Sequence, residues 1–296
     1  MTNEDENQID CVQPITKGWS ADQKFLAVDE HGQKFLLRIA LVEKLADKQA
    51  EFALLKILFE RNLPVQKTVE LTYDGQSVYQ IFEWIEGEDL RQAAPNLSDE
   101  TLYELGCQAG KLLKVLHQIP IDQTSLDWES YYQAKIDKKT AAYQTASHAY
   151  EQGQAMLEFI ERSRHLVAGR PIAYHHGDFH DGNMLVSQDG QLYLLDFDRF
   201  DKGDPWEEFN RLIFTVETSP ALARGMLDAY FEEAIPEEFW QLLALYLTVN
   251  SIGALVWAEE VNPDQIPLMK TQAKQLFDWY QGYKEVIPSW YLGKNR

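Results

Sequence analysis

The sequence predicts an α+β fold in two lobes. A small antiparallel sheet carrying one helix spans residues 1–86, and a larger, mainly helical lobe spans residues 87–296. Three observations predict it. Up to residue 86, short strand-like runs alternate with turn signals such as Glu30-His-Gly32 and Asp74-Gly75. One helical pattern, from about Asp47 to Glu60 with Phe52, Leu55 and Phe59 on a face, interrupts them. After Leu97 apolar residues recur at helical spacing almost to the end of the chain.

Each element follows in order. Strand-like segments at Phe25–Val28 and Lys34–Ile39 flank the Glu30-His-Gly32 turn, and Ile15 to Phe25 is a polar turn holding Gly18 and Ser20. After the helix, Thr68–Tyr73 and Ser77–Phe82 form a second hairpin that runs into Glu83-Trp84-Ile85-Glu86-Gly87. Ser98, followed by Asp99 and Glu100, caps a helix with Leu102, Leu105, Ala109, Leu112, Leu113 and Leu116 on one face. Gly106-x3-Gly110-Lys111 has a superficial Walker A look, but it lies inside that helix and lacks the following Ser or Thr. A helical stretch from Trp128 to Val167 breaks near Gly153, and a strand at Pro171–Tyr174 follows. Helices over residues 220–233, 236–260 and 267–283 complete the chain.

Composition bounds the partners. The chain has 296 residues, 45% hydrophobic and 25% charged, as a soluble globular protein does, but its net charge is −20. Residues 1–87 carry 15 acids and 9 bases, residues 88–296 carry 32 and 18. This argues against nucleic acid, which needs a basic footprint. It suits a cationic substrate, or serves solubility alone. Cys11 and Cys107 have no metal-type spacing, and a reduced, cytoplasmic setting is expected. The acidic start lacks a signal-peptide core, and no charge-free apolar run of membrane length is expected, so no membrane partner is. The oligomeric state is open.

The chemistry concentrates in His176-Gly-Asp178-Phe-His180-Asp181-Gly-Asn183, followed by Leu194-Leu-Asp196-Phe-Asp198. Asp178 and Asn183 lie on a glycine-containing loop, and Asp196 ends the apolar run Leu192–Leu195, joined to the loop by a turn at Gln188-Asp-Gly190. Phosphoryl transfer from ATP needs this set: a carboxylate to orient a hydroxyl and take its proton, and an amide and a second carboxylate to hold magnesium. His176 and His180 also allow a zinc site, but only with helical geometry that the two glycines oppose.

His-x-Asp-x4-Asn followed by Asp-Phe-Asp resembles the aminoglycoside phosphotransferase family and its small-molecule kinase relatives, with a protein-kinase-like two-lobe fold. The resemblance implies ATP and Mg2+ as cofactors. It assigns catalysis to Asp178, with His176 bracing the loop, and magnesium to Asn183 and Asp196. It places Gly18-Trp-Ser20 over the phosphates, with Ser20 as a ligand. Arg38 would stand for the usual strand lysine and clamp phosphate, held by Glu51. The Glu83 carbonyl and Ile85 amide would meet adenine. In Asp204-Pro-Trp-Glu-Glu208, Glu208 replaces the family's usual aspartate, which braces the catalytic loop. Asp181, Asp198, Glu259 and Glu260 are the candidate acids for a cationic acceptor, though Glu259-Glu260 also reads as a solvated helix end.

The expected activity is transfer of the γ-phosphoryl group to a small-molecule hydroxyl. An aminoglycoside-like antibiotic is one acceptor, with antibiotic resistance as the role. A choline, fructosamine, homoserine or methylthioribose type of metabolic kinase is the alternative, and a nucleotide-binding pseudokinase a further one. Asp198 is followed almost at once by the Pro205 helix start, leaving no peptide-docking segment, which favours a small substrate.

Overall fold

The computed structural model describes residues 9–16, 22–121, 125–232 and 234–293. It divides into two compact units, residues 1–89 with 184–198 and residues 90–183 with 199–296.

The first unit contains β1 (Ile9–Ile15), β2 (Gln23–Asp29), β3 (Lys34–Leu41), α1 (Leu45–Glu60), β4 (Thr68–Tyr73), β5 (Ser77–Glu83) and β6 (Glu88–Asp89). The first five strands form one antiparallel sheet in the order β1-β2-β3-β5-β4. Register is set by tight turns. At the β4–β5 corner Asp74 Oδ1 accepts the amides of Gln76 and Ser77 at 2.7 and 2.8 Å. Phe35, Val78 and Phe82 on the sheet and Leu54, Leu55 and Leu58 on α1 are buried, so the apolar pattern becomes one small core.

Residues 184–198 join this unit, although a division at residue 86 leaves them with the helical lobe. The reason is pairing. The hairpin of β8 (Met184–Val186) and β9 (Leu192–Leu194) adds to β6, and the Leu194 amide donates to the Pro64 carbonyl at 3.0 Å. Gly190, at φ 81°, makes the expected turn.

The second unit holds α2 (Leu90–Ala93), α3 (Asp99–His117), α4 (Trp128–Thr145), α5 (Gly153–Ser163), α6 (Leu212–Thr218), α7 (Pro220–Phe231), α8 (Glu237–Val261), α9 (Ile266–Trp279), α10 (Ser289–Leu292) and the strand pair β7 (Ala173–His175) and β10 (Asp201–Gly203). Ser98 caps α3 by accepting the Thr101 amide at 3.1 Å. The glycines of the Walker-like string serve packing. A Cβ on Gly106 or Gly110 would lie 2.1 Å from the Leu222 or Met226 carbonyl of α7, and one on Gly225 would lie 2.1 Å from the Tyr103 carbonyl. Three glycines thus bring the backbones of α3 and α7 together.

Helix α8 corrects the expectation about apolar runs. It contains an 18-residue window of mean hydropathy 1.5, long and apolar enough to cross a membrane. Two thirds of that window is buried in the protein, and Phe239, Leu243, Tyr246 and Ile252 are fully enclosed, so the run is accounted for by a core helix.

Candidate active site

In the first unit an ion cluster forms around Arg38. Its side chain is 3% exposed, since β3 places it on the inner side of the sheet. Nη1 donates to Glu51 Oε1 at 3.0 Å and Nη2 to Asp22 Oδ2 at 3.1 Å; Nη2 also lies 3.5 Å from Asp196 Oδ1 and 3.4 Å from Asp198 Oδ1. Lys48, one turn before Glu51 on α1, donates to Asp22 and Asp198. Gln80 on β5 donates to Glu51 Oε2 at 3.3 Å, and Lys24 on β2 donates to Asp196 Oδ2 at 3.0 Å.

Electrostatics follow from this crowding. Burial acts to lower the Arg38 pKa, but Glu51, Asp196, Asp198 and Asp22 together drive it up. Burial acts to raise Asp196, and Arg38 and Lys24 overcome it, so its pKa is lowered; Asp198 is lowered in the same way by Lys48 and Arg38. Asp196 occupies a left-handed backbone conformation, φ 64°, in which few residues other than glycine sit without strain.

In the second unit the loop after β7 carries Asp178. Gly177 has φ 80°, and a Cβ there would lie 1.8 Å from the Arg199 carbonyl, which accounts for His-Gly-Asp in place of His-Arg-Asp. Glu208 is buried and accepts the amides of His176 at 2.6 Å and Gly177 at 3.0 Å. Burial acts to raise its pKa; His117, His175 and His176 outweigh that and hold it at about 2. His176 Nδ1 accepts the Asp178 amide at 3.2 Å, and Asn183 Nδ2 donates to the Asp178 carbonyl at 2.8 Å. The Asp178 carboxylate faces Arg211, whose Nε is 2.7 Å from Oδ1, and Arg199 at 3.9 Å from Oδ2.

Most of the expected residues fall into these two sets: Arg38, Glu51, Asp196 and Asp198 in the first, His176, Asp178 and Asn183 in the second. Ser20, with Gly18, lies outside the described residues. Glu83 and Trp84 donate their amides to the Lys67 and Lys34 carbonyls, while the Ile85 amide makes no backbone bond among the described residues. Lys34, the other cation of β3, is half-exposed and paired with Glu86.

Three of the four acids expected to meet a cationic acceptor are already engaged. Asp181 is fully buried, holds Arg91 Nε and Nη2 at 2.8 and 2.9 Å, and accepts the Thr218 hydroxyl at 2.7 Å. Asp198 is taken by Lys48. Glu259 accepts the Ser147 amide at 3.0 Å and the His148 amide, so it ties down a loop. Glu260 stays exposed. The zinc alternative also fails on geometry. His176 Nδ1 accepts the Asp178 amide, and His180 Nδ1 accepts the Gly182 amide at 3.0 Å. Among the described residues no group of three or more His, Cys, Asp or Glu is arranged for a metal.

Sequence reasoning missed Asp22, Lys24, Lys48 and Arg211. Lys48 carried a signal, its position one turn before Glu51, but a helix lysine ordinarily lies on the surface. Asp22 carried none.

The magnesium expectation can be tested on the donors present. Asp196 Oδ1 is buried with no hydrogen-bond donor, and Asn183, with its amide nitrogen engaged, retains its amide oxygen. A hard carboxylate oxygen and a hard amide oxygen suit Mg2+, which is held by few protein ligands. The donors fit.

A sheet unit whose buried arginine is clamped by a helix glutamate, and a helical unit presenting a braced aspartate loop, define a kinase-type enzyme. The chain belongs to the phosphotransferase enzyme family, whose profile matches residues 12–240. No curated protein matches it in sequence. Solved structures share the fold. A thermostable aminoglycoside phosphotransferase in complex with AMP-PNP and hygromycin B has TM-score 0.68 at 18% identity, covering 93% of this chain and 96% of its own. An amicoumacin kinase with AMP-PNP and Ca2+ has TM-score 0.65 at 15% identity, with 95% and 92% covered. A choline/ethanolamine kinase family protein from Mesorhizobium loti has TM-score 0.65 at 15% identity, with 94% and 91% covered.

Proposed function

We propose that the protein binds ATP with Mg2+ and transfers the γ-phosphoryl group to a hydroxyl of a small molecule. The observation that carries this reading is Arg38, buried and shared between Glu51 and Asp196. A buried cation fixed by a helix glutamate, beside a carboxylate whose Oδ1 accepts no hydrogen bond, is what nucleotide phosphates and their metal require. AMP-PNP in two of the neighbouring structures supports a nucleoside triphosphate as donor.

Arg38, with Lys48 beside it, neutralises phosphate oxygens. Asp178 orients the acceptor hydroxyl and takes its proton, while Glu208 and His176 hold the loop. Asn183 and Asp196 would hold Mg2+, which would supply charge neutralisation on the phosphates. The Glu83 carbonyl and Ile85 amide are the proposed adenine contacts.

Magnesium-dependent release of ADP across a panel of aminoglycosides, macrolides, amino alcohols, hydroxy acids and sugars tests the proposal. Stimulation by at least one hydroxyl compound, lost on removing Mg2+, is expected. AMP-PNP binding with no stimulated turnover by any compound would instead identify a nucleotide-binding module.

A further inference from the structure

The charges around Asp178 bear on the acceptor. Arg211 keeps its Nε on Asp178 Oδ1 at 2.7 Å, is about one quarter exposed, and has no other acid within ion-pair distance among the described residues. Arg199 lies 3.9 Å from Asp178 Oδ2 and is 56% exposed.

The acids nearby are engaged elsewhere. Glu207 is held by Lys135 at 2.8 Å, Glu208 by the His176 and Gly177 amides, Asp181 by Arg91, and Asp201 by His175 at 3.1 Å. Among the described residues of this unit, the Asp178 carboxylate is thus faced by Arg211, Arg199 and His180, whose Nε2 is 3.6 Å from Oδ1, in a chain whose net charge is −20. A cationic acceptor would be repelled there. An acceptor with an acid group would find a planar guanidinium held beside Asp178 by charge, with its terminal nitrogens turned to no acid among the described residues.

Resting on the phosphotransferase reading, we propose that the acceptor carries an anionic group, carboxylate or phosphate, close to the hydroxyl it presents to Asp178, and that Arg211 and Arg199 receive that group. The hydroxyl and the anion would then be read side by side, and the pairing would fix which hydroxyl of a polyol reacts.

The test compares compounds that share a hydroxyl scaffold and differ in one charged group. Glycerol is set against glycerate and glycerol phosphate, ethanolamine against serine, glucose against gluconate and glucose phosphate, with kanamycin as the cationic arm. The full-length protein is assayed with ATP and Mg2+. The anionic members should give kcat/KM at least about 10-fold higher, and the rank of carboxylate against phosphate identifies the group. Arg211→Gln should raise KM for the best anionic acceptor about 10- to 100-fold and change KM for ATP by less than about twofold. Arg199→Gln, at an exposed position that folding tolerates, should raise it several-fold.

Equal or better turnover of neutral or cationic members overturns the proposal and leaves the phosphotransferase reading intact. So does a rise in KM for ATP in Arg211→Gln, which would assign the arginine to the donor phosphates. Calorimetric titration with AMP-PNP and Mg2+ saturating separates the remaining cases. Anionic compounds that bind, weaken in the variants and are never phosphorylated would sink the phosphotransferase reading and keep the anion site. No binding by any anionic compound would sink the anion site.

Discussion

Glu208 accepts the backbone amide of His176 at 2.6 Å, and so joins the 3-10 turn Glu207–Arg211, which leads into α6, to the loop that carries Asp178. The bond is made to the main chain, so it fixes the loop's path whatever the neighbouring side chains are. Glu208→Gln keeps one acceptor oxygen and places an amide donor against a backbone N–H. It should lower stability by about 2 kcal/mol and turnover by at least about 10-fold. Chemical denaturation and ADP-release assays check the two effects.

Two buried groups set the pH limits of the second unit. Glu208 is held at about 2, below its ordinary value, so its contribution is present above about pH 4.5 and is lost as pH falls towards 2. His175 runs the other way. Burial acts to lower it, but Asp201, Glu208 and Glu207 raise it to about 9. Its contribution is present below about pH 6.5 and is lost as pH rises through 9. His175→Gln should flatten the alkaline limb of a melting-temperature profile between about pH 6.5 and 9 and weaken the acid limb only in part, since His117 and His176 still hold Glu208 low.

Glu51→Gln leaves Arg38 buried with one acid fewer. Breaking one partner of a buried pair costs about 3–5 kcal/mol, and the other three acids around Arg38 reduce that to about 2 kcal/mol. KM for ATP should rise at least about 10-fold, because the guanidinium's Nη1 anchor loses its charge. Steady-state kinetics with ATP varied check this.

Asp178→Ala should cut turnover about 100- to 10,000-fold, with AMP-PNP affinity changed by less than about threefold. Turnover within about twofold of the native rate would remove Asp178 from its role.

Gly177 and Gly190 form a matched pair of substitutions. Both have positive φ, 80° and 81°, but a Cβ at 177 meets the Arg199 carbonyl at 1.8 Å and one at 190 meets nothing within 4 Å. Gly190→Ala should cost about 1 kcal/mol and leave turnover unchanged. Gly177→Ala should cost more and abolish turnover, because the loop must shift.

Strands β3 to β5 and helices α1, α3 and α7 were legible because their patterns are local: alternation, helical spacing, the Ser98 cap, the Asp74-Gly75 turn. The Asp178–Asn183 spacing was legible because one short loop carries it. The α8 run was misjudged because polar Gln, Asn, Ser and Thr interrupt it, while burial depends on what surrounds a helix and not on its own string.

By itself, then, the sequence determined the fold class, the order of its elements and the loop with Asp178, since each is written in residues close together along the chain. Only the tertiary structure decided which charges meet. Asp22 and Lys48 lie 26 positions apart, Lys48 and Asp198 150 apart, and Arg91 claims Asp181 from 90 positions away. A charged side chain takes whatever partner packing brings within a few ångströms, and packing brings together distant parts of the chain. That is why three of the four acids that suit a cationic acceptor in sequence are engaged elsewhere in the folded protein, and why Asp178 ends beside Arg211.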